Sequence, residues 1–381
     1  MGSRSETQSV QDNPKKTHRR LLLSTTVTTL GLCGWSVTGI SFVARWNWIA
    51  DLLSQLKMQS AIGFFIVLIL AVCVRKWGWA VACGIGLIVN VFPFWTYASP
   101  LYCSWNSVLV APDIESTESV SAIKNLRLLS LNVLSSNRQF AEVMRFIEAE
   151  DADFVVLLEV NTAWKQNLQP LESTYEFVKY ETREGNFGIA FLSKHPWASI
   201  EVFESQPRGL PSIDVRFKTL NWEESDRSLE RVGHYPLRII ATHPVPPIGE
   251  SNWNARNEQL FNIARRFDES TANIMVGDFN LSLGSPFYSD ILDAGGLRDG
   301  GNGFSLAPSW YVFPTWAGGL RLDHAWVGRG VIPVLHRIGP NVGSDHRPLT
   351  MDFRLQELIP LRSTNPTGNS SWIERHGESI R

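Results

Sequence analysis

Charge is scarce in the first part of this 381-residue chain, and cysteine is missing from the rest. The four cysteines (Cys33, Cys73, Cys83 and Cys103) all precede residue 110, so no disulfide framework can staple the longer second part of the chain. The lack of cysteine there, and of any HExxH or CxxC, argues against a zinc site. No internal repeat is present. A net charge of −2 with 44% hydrophobic residues excludes a disordered chain. The charge is divided unevenly, +6 over residues 1–110 and −8 over 111–381. The acidic second part lacks the basic surface that tight, charge-driven nucleic-acid binding requires, although nucleic acid can still be a substrate.

Long apolar runs are what the first part does have. Leu21 to Ala44 is 24 residues without a charge. As a helix it measures about 36 Å, against about 30 Å for a bilayer core. Met58–Val74 is a second run, and Trp77–Ala98, broken only by Asn90 and Pro93, a third. One helix over 58–98 would be about 60 Å long, so two helices turning at Arg75-Lys76 are expected. Spans at about 21–44, 58–74 and 77–98 therefore predict three transmembrane helices, with Trp46, Trp48, Trp77, Trp79, Trp95 and Trp105 near their ends. A cleaved signal peptide is the other reading of the first run, which is too long for one and is succeeded by two more. Lys15, Lys16, Arg19 and Arg20 make residues 1–20 a basic cytoplasmic tail, and Arg75 and Lys76 share that side. With three spans, everything after 99 lies outside the cytoplasm, in the periplasm of a bacterium. Two spans would put it inside. Residues 99–123 read as a linker and 359–381 as a disordered tail.

Over 124–358 strand and helix patterns alternate. Strands are expected at Leu126–Val133, Phe154–Val160, 187–192, 198–203, 212–217, 237–242, 273–277, 322–328 and 348–355. Phe140, Val143, Met144 and Ile147 share one helical face. Further helices are expected at 254–268 and at 286–293, the latter with Ser285 as N-cap and Pro286 at its first position. Many short strands and few helices predict an α/β fold of two packed sheets.

Polar side chains recur where these strands end. Asn132 closes the first strand and Glu159 nearly closes the second; His243 comes after LRIIAT, and Asp278 and Asn280 (GDFN) come after NIMV. Asp323-His324 opens LDHAWV, and Asp345-His346 (GSDHRPL) precedes the last strand. Each has an ordinary structural explanation, from a turn at Asn132 to a buried ion pair at Glu159. Their serial recurrence at strand ends, where distant segments converge, points to a site. Oxygen donors with a few histidines suit Mg²⁺ or Mn²⁺.

The order SLNV, LLEV, FGIAFLSK, ATH, VGDFN, LDHAWV and GSDHRPL resembles the endonuclease/exonuclease/phosphatase family, with its deoxyribonuclease I-like fold, over about 124–355. The arrangement with membrane spans looks like bacterial members carrying an extracytoplasmic catalytic domain. The resemblance implies a four-layer sandwich, two mixed sheets face to face with helices outside. It makes Glu159 the main metal ligand, helped by Asn132, with Asp345 completing the metal side. Asp278 and Asn280 would bind or orient the attacking water and a phosphate oxygen, and His243 would donate to the phosphate. His346, held by Asp323, would act as general base or phosphate ligand. Some nuclease members have an acidic residue two after the first Asn; here it is Leu134, which departs from the DNA-repair type.

Arg256 can be read as a further phosphate donor or as a solvated first-turn arginine. His195, His234 and His336 have no partner evident from spacing and read as exposed loop or strand-edge histidines. Glu223–Arg231 reads as a solvated hairpin tip, and the sequons at Asn280 and Asn369 are set aside. The expectation is a membrane-anchored, metal-dependent phosphoesterase acting on nucleic acid or phospholipid, with no protein partner predicted. A sphingomyelinase- or phospholipase-like enzyme is one alternative. A catalytically inactive, membrane-tethered binding protein is the alternative of another class, and the completeness of the polar set counts against it.

Overall fold

The computed structural model describes residues 14–95, 125–218, 236–268, 270–301, 306–311 and 318–356. The expected linker and C-terminal tail, the first part of the basic tail, Glu223–Arg231 and His234 lie outside the described residues.

Leu126–Asn132 (β1) and Phe154–Leu158 (β2) run parallel at the centre of the first sheet, apolar on both faces because both faces are covered. With Phe177–Glu181 (β3), Ile189–Ser193 (β4), Val331–Ile338 (β13) and Leu349–Leu355 (β14) they form the order β13-β14-β1-β2-β4-β3. The second sheet has the order β5-β6-β7-β8-β12-β9, from Ser199–Ser205, Leu210–Phe217, Leu237–Ala241, Ala272–Asp278, Asp323–Val327 and Arg298–Asp299. Here β7 and β8 are the parallel pair. A two-stranded ribbon, Trp310–Tyr311 (β10) and Gly319–Leu320 (β11), stands beside them.

Period-two alternation divides the core into layers. Leu128, Phe154 and Val156 meet Ile239, Ile274 and Val276 between the sheets. Leu129, Leu131, Val155 and Leu157 face outward, against Val143 and Ile147 of Phe140–Glu150 (α5) and Trp164 of Thr162–Leu168 (α6). On the far side Ile240, Met275 and Trp326 pack under Leu260 of Glu250–Ala264 (α7) and Ile291 of Pro286–Gly295 (α8). Helix, sheet, sheet, helix is the expected four-layer order. α8 starts as its sequence predicts, Ser285 Oγ accepting from Phe287 N at 3.3 Å. α7 starts at Glu250, four residues before the expected position.

Ahead of this unit, Pro14–Ser41 (α1), Lys57–Cys73 (α3) and Trp77–Val91 (α4) pack through Val27, Phe64, Val67, Ala71, Ala80 and Cys83. His18–Ser41 and Trp77–Phe94 are each long and apolar enough to cross a membrane. The third expected span is less regular. α3 has 17 residues and is joined, with a 59° bend, to a short helix the sequence did not announce, Trp48–Ser54 (α2).

Phe154 is fully buried between the sheets, its ring 5.0 Å from that of Phe217. Phe154→Ala is expected to cost about 3–5 kcal/mol of stability, measured by denaturant unfolding of the full-length protein in detergent. A loss under about 1 kcal/mol would contradict a core packed between the two sheets.

Candidate active site

Each candidate side chain sits where a strand stops. Asn132 ends β1 and sends Nδ2 to Glu159 Oε1 at 3.0 Å and to Asp278 Oδ2 at 3.3 Å. Glu159, just after β2, takes a left-handed backbone, φ 62°, which is costly for a residue with a side chain. Its Oε2 accepts from Ser135 N at 3.0 Å. Gly277 precedes Asp278 with φ 146°, and a Cβ there would lie 2.0 Å from Thr242 O, so only glycine lets β8 pass this close to the end of β7.

Asp278 is the hub. Besides Asn132, its Oδ2 lies 3.3 Å from His243 Nε2 and 3.4 Å from His346 Nε2, and its Oδ1 accepts from Asn280 N at 3.0 Å. His346 Nδ1 donates to Asp323 Oδ2 at 2.7 Å, and Ser309 Oγ accepts from Asp323 N at 3.0 Å. Asp278, Asp323 and His346 lie close enough to share one metal ion. The 2.7 Å Asp323–His346 contact is a proton-bearing hydrogen bond, however, and the softer imidazole suits a hard cation less than oxygen does. Burial opposes charge on His346, but Asp323 and Asp278 outweigh it and push the imidazolium up to about 10. Burial likewise opposes ionisation of Asp278, and His346 and His243 overcome it, holding this carboxyl well below its usual range.

A cleft of about 380 Å³ opens over these groups. Glu159, His243, Asp278, Asn280, Asp345 and His346 line it, and among the described residues no lysine or arginine does. Asn280 gives its amide nitrogen to Pro244 O at 3.0 Å, tying the GDFN turn to the THPVPP loop. Asp345 faces the cleft from another wall, its Oδ2 accepting from Trp310 Nε1 at 3.1 Å rather than meeting Glu159. Glu159 is buried, and among the described residues no cationic side chain forms an ion pair with it. A carboxylate so placed, beside a second carboxylate and an amide, fits Mg²⁺ or Mn²⁺.

The family described as "Endonuclease/Exonuclease/phosphatase family" matches residues 129–346. The chain belongs to this family. Among solved structures, an endonuclease/exonuclease/phosphatase from Beutenbergia cavernae is similar at 18% identity and TM-score 0.51, over 62% of this chain and 73% of that one. The human Nocturnin catalytic domain with bound sulfate gives 17% and 0.46, over 62% and 97%. Zebrafish (D. rerio) TDP2 with a single-stranded DNA product gives 15% and 0.49, over 61% and 99%. No curated protein matches the sequence. At 18% identity the Beutenbergia likeness speaks for the fold alone, and family members are phosphoester hydrolases that depend on divalent metal.

Three sequence expectations need correcting. Arg256 does not reach the cleft: because α7 begins at Glu250, it falls on the buried face. There Nη2 meets Asp51 Oδ2 at 2.6 Å and Nη1 donates to Asn280 O at 2.7 Å. His336 is buried against Arg321, and burial, with that cation added, lowers it to about 3. His195 Nε2 pairs with Asp153 Oδ1 at 2.9 Å. His324, beside Asp323, points to the other face of its strand, to Tyr288 and Leu281 O.

The residues missed lie in α2. Leu52 and Gln55 form part of the cleft wall. The helix is held by Asp51, fully buried, which accepts from Arg256, from Trp253 Nε1 at 3.1 Å and from Ser285 Oγ at 2.5 Å. A Cβ on Gly284 would lie 2.0 Å from Ser54 O, so the two units touch backbone to backbone. A lone aspartate in a mostly apolar stretch was the available signal. Asp51→Ala should cost about 3–5 kcal/mol by stranding the Arg256 charge. Asp51→Leu combined with Arg256→Met should recover most of that, read as thermal midpoints of the full-length protein in detergent. Equal loss in both variants would rule out stranded charge as the cause.

Proposed function

We propose that the chain is a membrane-anchored, divalent-metal-dependent phosphodiesterase with its catalytic unit on the extracytoplasmic side. The observation carrying this reading is the convergence of Asn132, His243 and His346 on ionised Asp278 beside Glu159, at the floor of one cleft. Family membership supports the reaction class. Glu159 and Asn132 would hold Mg²⁺ or Mn²⁺, with Asp345 completing the metal side from the facing wall. The bound ion supplies charge neutralisation and polarises a non-bridging phosphate oxygen.

The chain's own groups do the rest. Asp278, held ionised, accepts the hydrogen bond of the attacking water and relays its proton as the water oxygen bonds to phosphorus and the P–O bond to the leaving group breaks. Asn280 and His243 orient that water and the phosphate. Asp323 fixes the His346 tautomer, so that Nε2–H faces the oxygens where charge grows. Of the two roles open to His346, its raised basicity favours the charged donor, which can also protonate the leaving oxygen. A cleft rich in carboxylates and, among the described residues, without lysine or arginine favours a diester, with one negative charge, over a monoester with two.

Lys76 Nζ donates to Ser24 O and Thr28 Oγ1, each at 3.0 Å, which draws the Arg75-Lys76 turn beside the basic end of α1. α2 and the catalytic unit gather at the opposite ends of the helices. This supports three spans with the basic side cytoplasmic.

Asp278→Asn is expected to lower kcat by about 10²–10⁴-fold on a chromogenic phosphodiester. Chelation should abolish wild-type turnover, and Mg²⁺ or Mn²⁺ should restore it. Wild-type kcat in a folded Asp278→Asn protein would sink the assignment.

A further inference from the structure

Resting on the phosphodiesterase reading, we propose that the substrate is a phosphodiester carried by a bilayer lipid, whose alkyl chain enters the active site through a channel between the membrane helices and the catalytic unit. A second cavity, of about 210 Å³, shares Gln55 and Leu320 with the catalytic cleft. Its other walls come from both units: Met58 and Ile62 at the start of α3 and Phe94 just after α4, against Leu283 and Leu306. The two spaces therefore adjoin at Gln55 and Leu320, and movement of these two side chains would join them into a path from the ends of the apolar helices to Asp278.

The depth of the opening is marked by side chains. Trp46 after α1 and Trp95, next to Phe94, are 75% and 67% exposed, as in a headgroup-level aromatic belt. Ile62 is 51% exposed on the lipid-facing surface of α3. At the other end the cleft is walled by Leu52 of α2, by Pro246 and by Ile248, which is 70% exposed although it lies beside the catalytic groups. These walls give an alkyl chain apolar contact on either side of the junction at Gln55 and Leu320.

Charge decides against a nucleic acid on the same walls. Among the described residues the cleft lining has no lysine or arginine, and the second cavity has one arginine, Arg321, which is engaged by Asp299 at 2.9 Å. Within this lining a polyanion would meet no described cationic side chain to neutralise its phosphates. A lipid presents a single phosphodiester, which the metal site and two histidines can meet.

The test uses full-length protein in detergent micelles with Mg²⁺ and a series of alkyl p-nitrophenyl phosphodiesters, methyl, octyl and hexadecyl. A single-stranded oligonucleotide runs beside them. In the wild type kcat/KM should rise at least about tenfold from methyl to hexadecyl. Two variants at partly exposed positions, Ile62→Trp to fill the channel and Ile248→Asp to charge the cleft wall, should each lower the hexadecyl-to-methyl ratio severalfold. A flat chain-length series, an unchanged ratio in both variants, or faster cleavage of the oligonucleotide than of the hexadecyl diester overturns the lipid assignment and leaves the phosphodiesterase standing. No release from any diester overturns the phosphodiesterase reading, and this inference with it.

Discussion

One carboxylate oxygen, Asp278 Oδ2, has donors within about hydrogen-bond reach from three separated segments: Asn132 at 3.3 Å, His243 at 3.3 Å and His346 at 3.4 Å. Burying such a charge unpaired would cost several kcal/mol, so the surrounding fold has to deliver its partners. Asn132 ends β1 and His346 stands just ahead of β14, both of the first sheet, while His243 follows the end of β7 and Asp278 ends β8, both of the second. The site is therefore a property of how the two sheets are seated on each other. Slipping β8 by one residue would turn Asp278 to the helix face and bring Met275 inward, so the apolar alternation that packs the core also fixes the chemistry.

This coupling explains what could be read from sequence. Strands such as FVVLL and NIMVG are apolar because they are covered on both faces, and polar residues at their ends stand out against that background. The candidates at 132, 159, 243, 278, 323 and 346 converge accordingly. What could not be read depends on partners far away in the chain. β3 is half-buried along its length and lacks an apolar run, and β9, β10 and β11 are two residues each, below any periodic signal. The sequence pattern starts the helix of Arg256 four residues late, which makes this side chain look like a phosphate donor. The true start turns it inward, to an aspartate 205 positions earlier. His336 looks exposed in sequence because nothing nearby covers it, whereas Arg321 does so from a neighbouring element.

Arg256 also ties the N-terminal helices to the candidate site. One end of its guanidinium meets Asp51 of α2 and the other holds the backbone carbonyl of Asn280, within the turn that carries Asp278. A flexible tether would need neither contact, since residues 96–124 already connect the two units covalently. Two fully buried charges at such a junction are inefficient as simple glue, because an apolar pair of similar volume would do as well or better. Such a pair gains by specificity: it is satisfied in one register of α2 against α7 and is penalised in every other. That register places Leu52 and Gln55 in the cleft wall and sets the start of α3 against the loop at Leu283. The ion pair thus fixes the two-sheet unit against the N-terminal helices and shapes the space between them, a constraint that a substrate delivered from a bilayer, as proposed above, would exploit.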